Sequence, residues 1–216
     1  AFLMSADLPL PKKVFGHGFL LNRGVKESKS LGNVVLMHDL LKQWPGEVLR
    51  FAMLSGHYRA PLDWTEDLLK QAKVTLDRIY GALRRVWDAE GGEARDTGVV
   101  RALEDDLNTP EALAELSRLA GEANTAADQK DAAAMANAKA NLLGAGKLLG
   151  LLTLTPKDWE QGGDNDENAR IDALVQARVD ARANKDWAEA DRIRNELAAE
   201  GIEIMDGAGG STWRRV

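Results

Sequence analysis

The sequence predicts a mainly α-helical chain: an irregular leading segment, an antiparallel helical bundle and a small α+β module at the end. Three observations carry this. From Thr65 onward apolar residues recur at helical spacing through successive segments. The links between those segments are short, which suits neighbouring helices that run back along each other. The last stretch then switches to alternation, at Ile202 and Ile204, before a glycine-rich turn. With 216 residues, 44% hydrophobic and 29% charged, the chain is long enough for one or two packed domains.

Taken in order, Pro9 and Pro11 bracket a turn. Val14, Phe15, Phe19, Leu20 and Leu21 then make an apolar stretch, broken by Gly16 and Gly18, that suits a buried strand. Gly24 to Asn33 is polar, basic and Ser-rich and reads as an exposed loop. Short helices are expected from Val35 to Gln43 and from Gly46 to Leu54. Thr65 can cap a long helix whose first turn carries Glu66 and Asp67. Leu68, Leu69, Ala72, Leu76, Ile79, Tyr80, Leu83, Val86 and Trp87 form its apolar face, and Gly91-Gly92 stop it.

A second bundle helix starts at Asp96 or Thr97 and ends near Leu107. Thr109-Pro110 opens a third, with Thr as cap and Pro at a tolerated early position, along a stripe of Leu113, Leu116, Leu119 and Ala120. Asp131 opens an Ala-rich fourth, to about Leu149. Residues 161–168 (QGGDNDEN) are acidic and glycine-containing and read as a flexible linker. Beyond them a helix is expected from Ala169 to Asn184. Asp186 with Glu189 makes a capping box for another, ending at Gly201, and a hairpin closes the chain. The expected divisions are 1–64, 65–160, 161–168 and 169–216. The last module is small enough that disorder without a partner is one expectation for it.

Composition narrows the function. Residues 1–60 hold eight Lys/Arg and four Asp/Glu, net +4, whereas residues 61–168 carry −9 and the whole chain −6. An acidic average excludes a general polyanion-coating role, and no DNA partner is expected. The longest uninterrupted apolar stretch, Leu148 to Leu154, contains Gly150 and is far short of a membrane span. Residues 1–15 lack a secretory leader pattern, so a cytoplasmic location is expected. With no cysteine there is no disulfide, thiolate zinc site or cysteine nucleophile.

Several residues have the chemistry to carry a function. Lys26, Ser28, Lys29 and Ser30 lie in one loop before Gly32. Ammonium groups neutralise phosphate charge and hydroxyls add donors, so the loop suits a polyphosphate; a solvated surface loop is the other reading. Arg178 and Arg182 are four apart and share a helix face. Guanidinium can grip phosphate or a guanine edge, Trp187 offers a plane for an unstacked base, and Asp191 and Asp206 can accept from base amino groups. The plainer alternative makes Arg178 an ion-pair partner, Trp187 the module's core aromatic and Asp191 a solvated helix residue. Asp105, Asp106 and Asn108 read as helix ending and capping rather than a metal site. His57 with Tyr58 and Arg59 reads as a packing or RNA-stem contact. Trp213-Arg214-Arg215 is either a basic tip or a solvated terminus.

The motif Lys26-Glu27-Ser28-Lys29-Ser30-Leu31-Gly32-Asn33 is similar to the KMSKS signature of class I aminoacyl-tRNA synthetases, with Glu27 in place of its Met. Ser55-Gly56-His57-Tyr58-Arg59 before Pro61-Leu62-Asp63-Trp64, and Asp105-Asp106-Leu107-Asn108-Thr109-Pro110-Glu111-Ala112, resemble successive segments of the cysteinyl-tRNA synthetase family. The stretch from Lys185-Asp186-Trp187 through Ala190-Asp191-Arg192-Ile193-Arg194 to Ser211-Thr212-Trp213-Arg214-Arg215 resembles its anticodon-binding end. Residues 1–24, with Gly16-His17-Gly18-Phe19-Leu20, look more like methionyl-tRNA synthetase approaching its own signature loop.

The resemblance implies a class I stem-contact segment, a helical bundle and a small anticodon-binding module. It implies ATP and Mg²⁺ as requirements of the family reaction, cysteine tRNA as partner, and anticodon contact by Arg178, Arg182, Trp187, Asp191 and Asp206. The second signature lysine, Lys29, would assist ATP. The family's HIGH-type motif and zinc ligands have no counterpart in this sequence, so the chain alone is not expected to activate an amino acid, and a separate catalytic half is a possible partner. The alternative is a non-catalytic helical module that binds another protein.

Overall fold

A computed structural model describes residues 16–26, 28, 30, 36–162, 165–207 and 210–215. The chain divides into two compact units, Ala1–Leu152 and Thr153–Val216.

In the first unit, β1 (Leu20–Asn22) turns through the left-handed pair Arg23 and Gly24 into β2 (Val25–Lys26). On its other side β1 pairs in parallel with β3 (Leu62–Asp63), giving the order β2-β1-β3. The parallel pairing was not expected. It joins residues 42 positions apart, and strands of three and two residues are too short to show an alternating pattern. Between them lie α1 (Met37–Leu40) and α2 (Gly46–Leu54). The first ends at Leu40, short of the expected Gln43, because the chain turns from Leu41; Val35, its expected start, lies outside the described residues.

The bundle follows. Helix α3 (Glu66–Arg85) is capped by Thr65, whose hydroxyl accepts from the Leu68 amide. Of its predicted stripe it buries Leu69, Ala72, Leu76, Ile79, Tyr80 and Leu83, while Leu68 and, past its end, Trp87 are only half-buried. The short α4 (Gly98–Glu104) leads into α5 (Thr109–Gln129). Asn108, rather than Thr109, caps α5: its side chain accepts from the Glu111 amide, while the Thr109 hydroxyl donates to the Gly56 carbonyl. Left-handed Lys130 and the capping Asp131 reverse the chain into α6 (Ala132–Leu149). Helix α5 packs on α3, α4 and α6, and its alanines allow the close approach. Left-handed Gly150 ends α6, where Arg50 donates to the Leu149 carbonyl at 2.5 Å.

The second unit begins before the expected linker. Thr155 caps α7 (Pro156–Gln161), which buries Trp159, and α8 (Asn165–Ala183) starts inside the stretch expected to be flexible. Arg215 holds that stretch from the last strand, donating to the Gln161 carbonyl and to Glu167 at 2.7 Å each. Asp186 caps α9 (Trp187–Ala199) by accepting from the Glu189 amide, but the expected box does not close, because the Glu189 carboxylate pairs with Arg192 and the Asp186 amide donates to the Ala181 carbonyl. Strands β4 (Ile202–Gly207) and β5 (Gly210–Arg215) then pair antiparallel. The core is Ile171, Val175, Ile193, Leu197, Ile202 and Trp213. Among the described residues no helix is long and apolar enough to cross a membrane.

Candidate nucleic-acid interface

Helical spacing puts Arg178 and Arg182 on one face of α8, and the hairpin brings Asp206 against that face. Arg178 meets Asp206 end-on: Nη1 donates to Oδ1 at 3.0 Å and Nη2 to Oδ2 at 3.1 Å. Arg182 Nη1 donates to Oδ2 at 2.8 Å. Ser211, directly across the hairpin from Asp206, donates its hydroxyl to Oδ1 at 2.6 Å. These contacts, the Arg178 guanidinium foremost and then the Ser211 hydroxyl, hold the Asp206 carboxyl well below the usual carboxylate range. The pairing raises the pKa of Arg178 in turn.

This arrangement changes what each residue can do. An ionised carboxylate offers about four lone-pair sites, and four donated hydrogen bonds occupy those of Asp206. Its accepting a base amino group, as expected from sequence, therefore requires a donor to leave. Arg178 is only 8% exposed, with both terminal nitrogens spent on Asp206. Arg182 is the accessible member, 43% exposed at its side chain. The cluster presents one outward guanidinium on a rigid base.

Asp191 sits on α9, exposed and paired with Arg194 at 3.2 Å, and its charge reaches Arg178. Trp187, 60% exposed, opens α9 just after left-handed Lys185. Its ring faces solvent, so it is not the module's core aromatic. That part belongs to Trp213, 2% exposed, whose indole N–H donates to Asp172 at 2.6 Å. Arg214 pairs with Glu203 and Arg215 with Glu167. Of the Trp213-Arg214-Arg215 stretch, Trp213 is thus core, while Arg214 stays exposed in its ion pair. Alternation along β5 turns Trp213 inward, a signal present in the sequence.

In the first unit, Lys26 lies at the end of β2 with its ammonium 3.7 Å from the Phe19 ring centroid, a cation–π contact. Ser28 and Ser30 place their hydroxyls 3.2 Å apart. Lys29 and Glu27 lie outside the described residues, as do residues 31–35. Among the described residues no group of His, Asp or Glu has the makings of a metal site.

One cluster is absent from the sequence reading. Asp106 accepts from the Tyr58 hydroxyl at 2.8 Å and from Arg59 at 2.6 and 2.9 Å, and His57 Nε2 is 4.0 Å away. Arg59 first and Tyr58 second hold the Asp106 carboxyl well below its usual range. The Arg59 guanidinium also lies over the Tyr58 ring. Of the acidic pair expected to end α4, Asp106 is therefore a tertiary ligand. No local pattern separates it from Asp105.

Comparison with known proteins gives three matches in chain order. Residues 4–74 match the family described as tRNA synthetases class I (C) catalytic domain, including the stretch that looks methionyl-like. Residues 98–153 match the DALR domain, and residues 164–214 the cysteinyl-tRNA ligase anticodon binding domain. The cysteine–tRNA ligase of Hyphomonas neptunium is 80% identical over 200 residues, covering 93% of this chain and 43% of that protein. Those of Xanthomonas campestris and Caulobacter vibrioides are 52% and 50% identical over 201 residues, with 92% of this chain and 43% of each relative covered. The chain thus spans less than half the length of these relatives.

Proposed function

Because the chain belongs to the cysteinyl-tRNA synthetase family, we propose that it forms the tRNA-binding portion of a cysteine–tRNA ligase. On this reading the whole ligase joins cysteine to its tRNA at the expense of ATP. This portion, without the nucleotide-binding half, does not activate cysteine alone. The observation that carries the reading is the convergence of Arg178, Arg182 and Asp206 within the anticodon-binding match.

Each residue has a distinct part. Arg178 and Asp206 lock each other and fix the α8 face against the hairpin. Arg182 projects its guanidinium, with most of its five donors left for a phosphate or the acceptors of a guanine edge. Trp187 gives an exposed plane on which an unstacked anticodon base can lie, and base–aromatic stacking contributes about 1–3 kcal/mol per base. Asp191 accepts from a base amino group. The residues of the signature loop, Lys26, Ser28, Lys29 and Ser30, supply ammonium and hydroxyl donors, which suit ATP phosphates rather than a bare cation. Mg²⁺ would supply further neutralisation of phosphate charge, and this chain, having no cysteine, gives no thiolate to a zinc site. Cysteine tRNA is the expected partner, and the cytoplasm the expected location.

The test is binding of cysteine tRNA, against the same tRNA with an altered anticodon, at low and moderate salt. The expected result is anticodon-dependent binding that weakens in Arg182→Ala and falls steeply as salt rises, because phosphate contact releases counterions. Binding that ignores the anticodon, or no binding, overturns the reading.

A further inference from the structure

We propose that Asp106 is a positioning residue for the β1–β2 hairpin, whose last residue is the signature's Lys26, acting through the His57–Arg59 segment. The meaning of that signature rests on the function proposed above; the mechanical linkage does not.

The linkage is continuous. Asp106 takes the Tyr58 hydroxyl and both ends of the Arg59 fork, and Thr109 ties the same segment by donating to the Gly56 carbonyl at 3.3 Å. The Tyr58 carbonyl accepts from the Gly18 amide at 2.7 Å, which seats the chain entering β1. The fit there is close: a Cβ on Gly18 would lie 1.9 Å from the Ala60 carbonyl oxygen. Next, the Leu62 amide donates to Phe19 and the Trp64 amide to Leu21, so β3 runs along β1. Finally both Asp63 carboxylate oxygens accept from the Gly24 amide at 3.1 Å, which fixes the turn into β2. Lys26, the first lysine of the signature, ends that strand. The bundle turn that holds Asp106 is thereby joined to the root of the loop.

Asp106 is also placed at a cost. It and Leu107 are consecutive non-glycine residues with positive φ, 52° and 55°, and Leu107 is 56% exposed. Left-handed backbone is unfavourable for both, and more so for Leu. No burial of Leu107 offsets it; what the turn achieves is to aim the Asp106 carboxylate at Tyr58 and Arg59. An ordinary exposed ion pair is commonly worth little. A bidentate Arg joined by a Tyr hydroxyl on one carboxylate is an oriented network instead.

Amide hydrogen exchange on the full chain tests this without tRNA or ATP, so its outcome is independent of the tRNA-binding result. In Asp106→Ala the amides of Gly18, Leu62 and Trp64 are expected to exchange several-fold faster, with the increase reaching Lys26. Bundle amides such as Leu116 and Leu142 keep wild-type rates, and Asp105→Ala changes none of these. Arg59→Ala reproduces the pattern, and the double variant adds little to either single one, because all three break the same link. An effect that stops at His57–Arg59, one that spreads equally through the bundle, or additive single effects would each overturn the proposal.

Discussion

Arg178 and Asp206, 28 residues apart in sequence, meet through a bidentate pair at 3.0 and 3.1 Å, with Arg178 almost wholly buried. Arg182 joins the same carboxylate from one turn further along α8 and stays half exposed. The two arginines therefore separate a structural part from a recognition part on one face.

That separation is measurable. Arg178→Ala removes the buried partner of Asp206 and is expected to destabilise the second unit by about 1–3 kcal/mol. Arg182→Ala, which loses one exposed hydrogen bond, is expected to cost less than about 1 kcal/mol while weakening anticodon-dependent tRNA binding. Urea unfolding followed alongside tRNA titration checks both. Equal stability loss in the two variants would contradict the assignment.

The Asp206 carboxyl gives a pH signature. Its folded pKa lies below the unfolded value, so its stabilising contribution is complete above the ordinary Asp pKa of about 3.9 and is lost as pH falls from there toward the folded value. The stability difference between the native chain and Asp206→Asn is expected to be constant around neutrality and to shrink only in acid. A carboxyl-carbon NMR titration should find Asp206 ionised after most other Asp residues have taken up protons. A midpoint near the ordinary value would show that the Arg178 pairing is absent in solution.

Trp213 is the largest fully buried side chain of the second unit's core. Trp213→Ala is expected to cost about 3–5 kcal/mol, close to all that a core of this size supplies. Trp213→Phe keeps most of the packing and loses the hydrogen bond to Asp172, for a smaller loss. Exchange protection should vanish along β4, β5 and α9 in the alanine variant while α3 and α5 keep theirs. Retained protection in the hairpin would refute the core assignment.

Gly150 ends α6 at φ 65°, and a Cβ there would lie 2.7 Å from Arg50 Nε, which is bonded to the Leu149 carbonyl. Gly150→Ala is expected to cost about 1–2 kcal/mol from the left-handed backbone, with a further loss from displacing Arg50. Gly121→Ala, whose Cβ meets nothing within 4 Å on mid-helix α5, should be neutral or stabilising. Paired thermal melts of the two variants decide this, and similar shifts would remove the reason given for Gly150.

Much of this protein was determined by its sequence alone. The buried stripe of α3, the Thr65, Asp131 and Asp186 caps and the closing hairpin are local features. Each is set by spacing and by donors within a few residues, so the sequence states them directly. The motifs around Lys26, Asp105 and Trp187 likewise carry the family in their order. Tertiary structure decided the pairings. Nothing in the run Asp105-Asp106 tells which carboxylate will reach Tyr58 and Arg59, 48 and 47 residues before Asp106. The parallel pairing of β1 with β3 is equally invisible in strands two or three residues long. Whether Arg178 or Arg182 is the buried one depends on where the hairpin lays Asp206. That Trp213 rather than Trp187 fills the module's core has the same reason: burial depends on what other elements cover, and that is fixed only when the chain is folded.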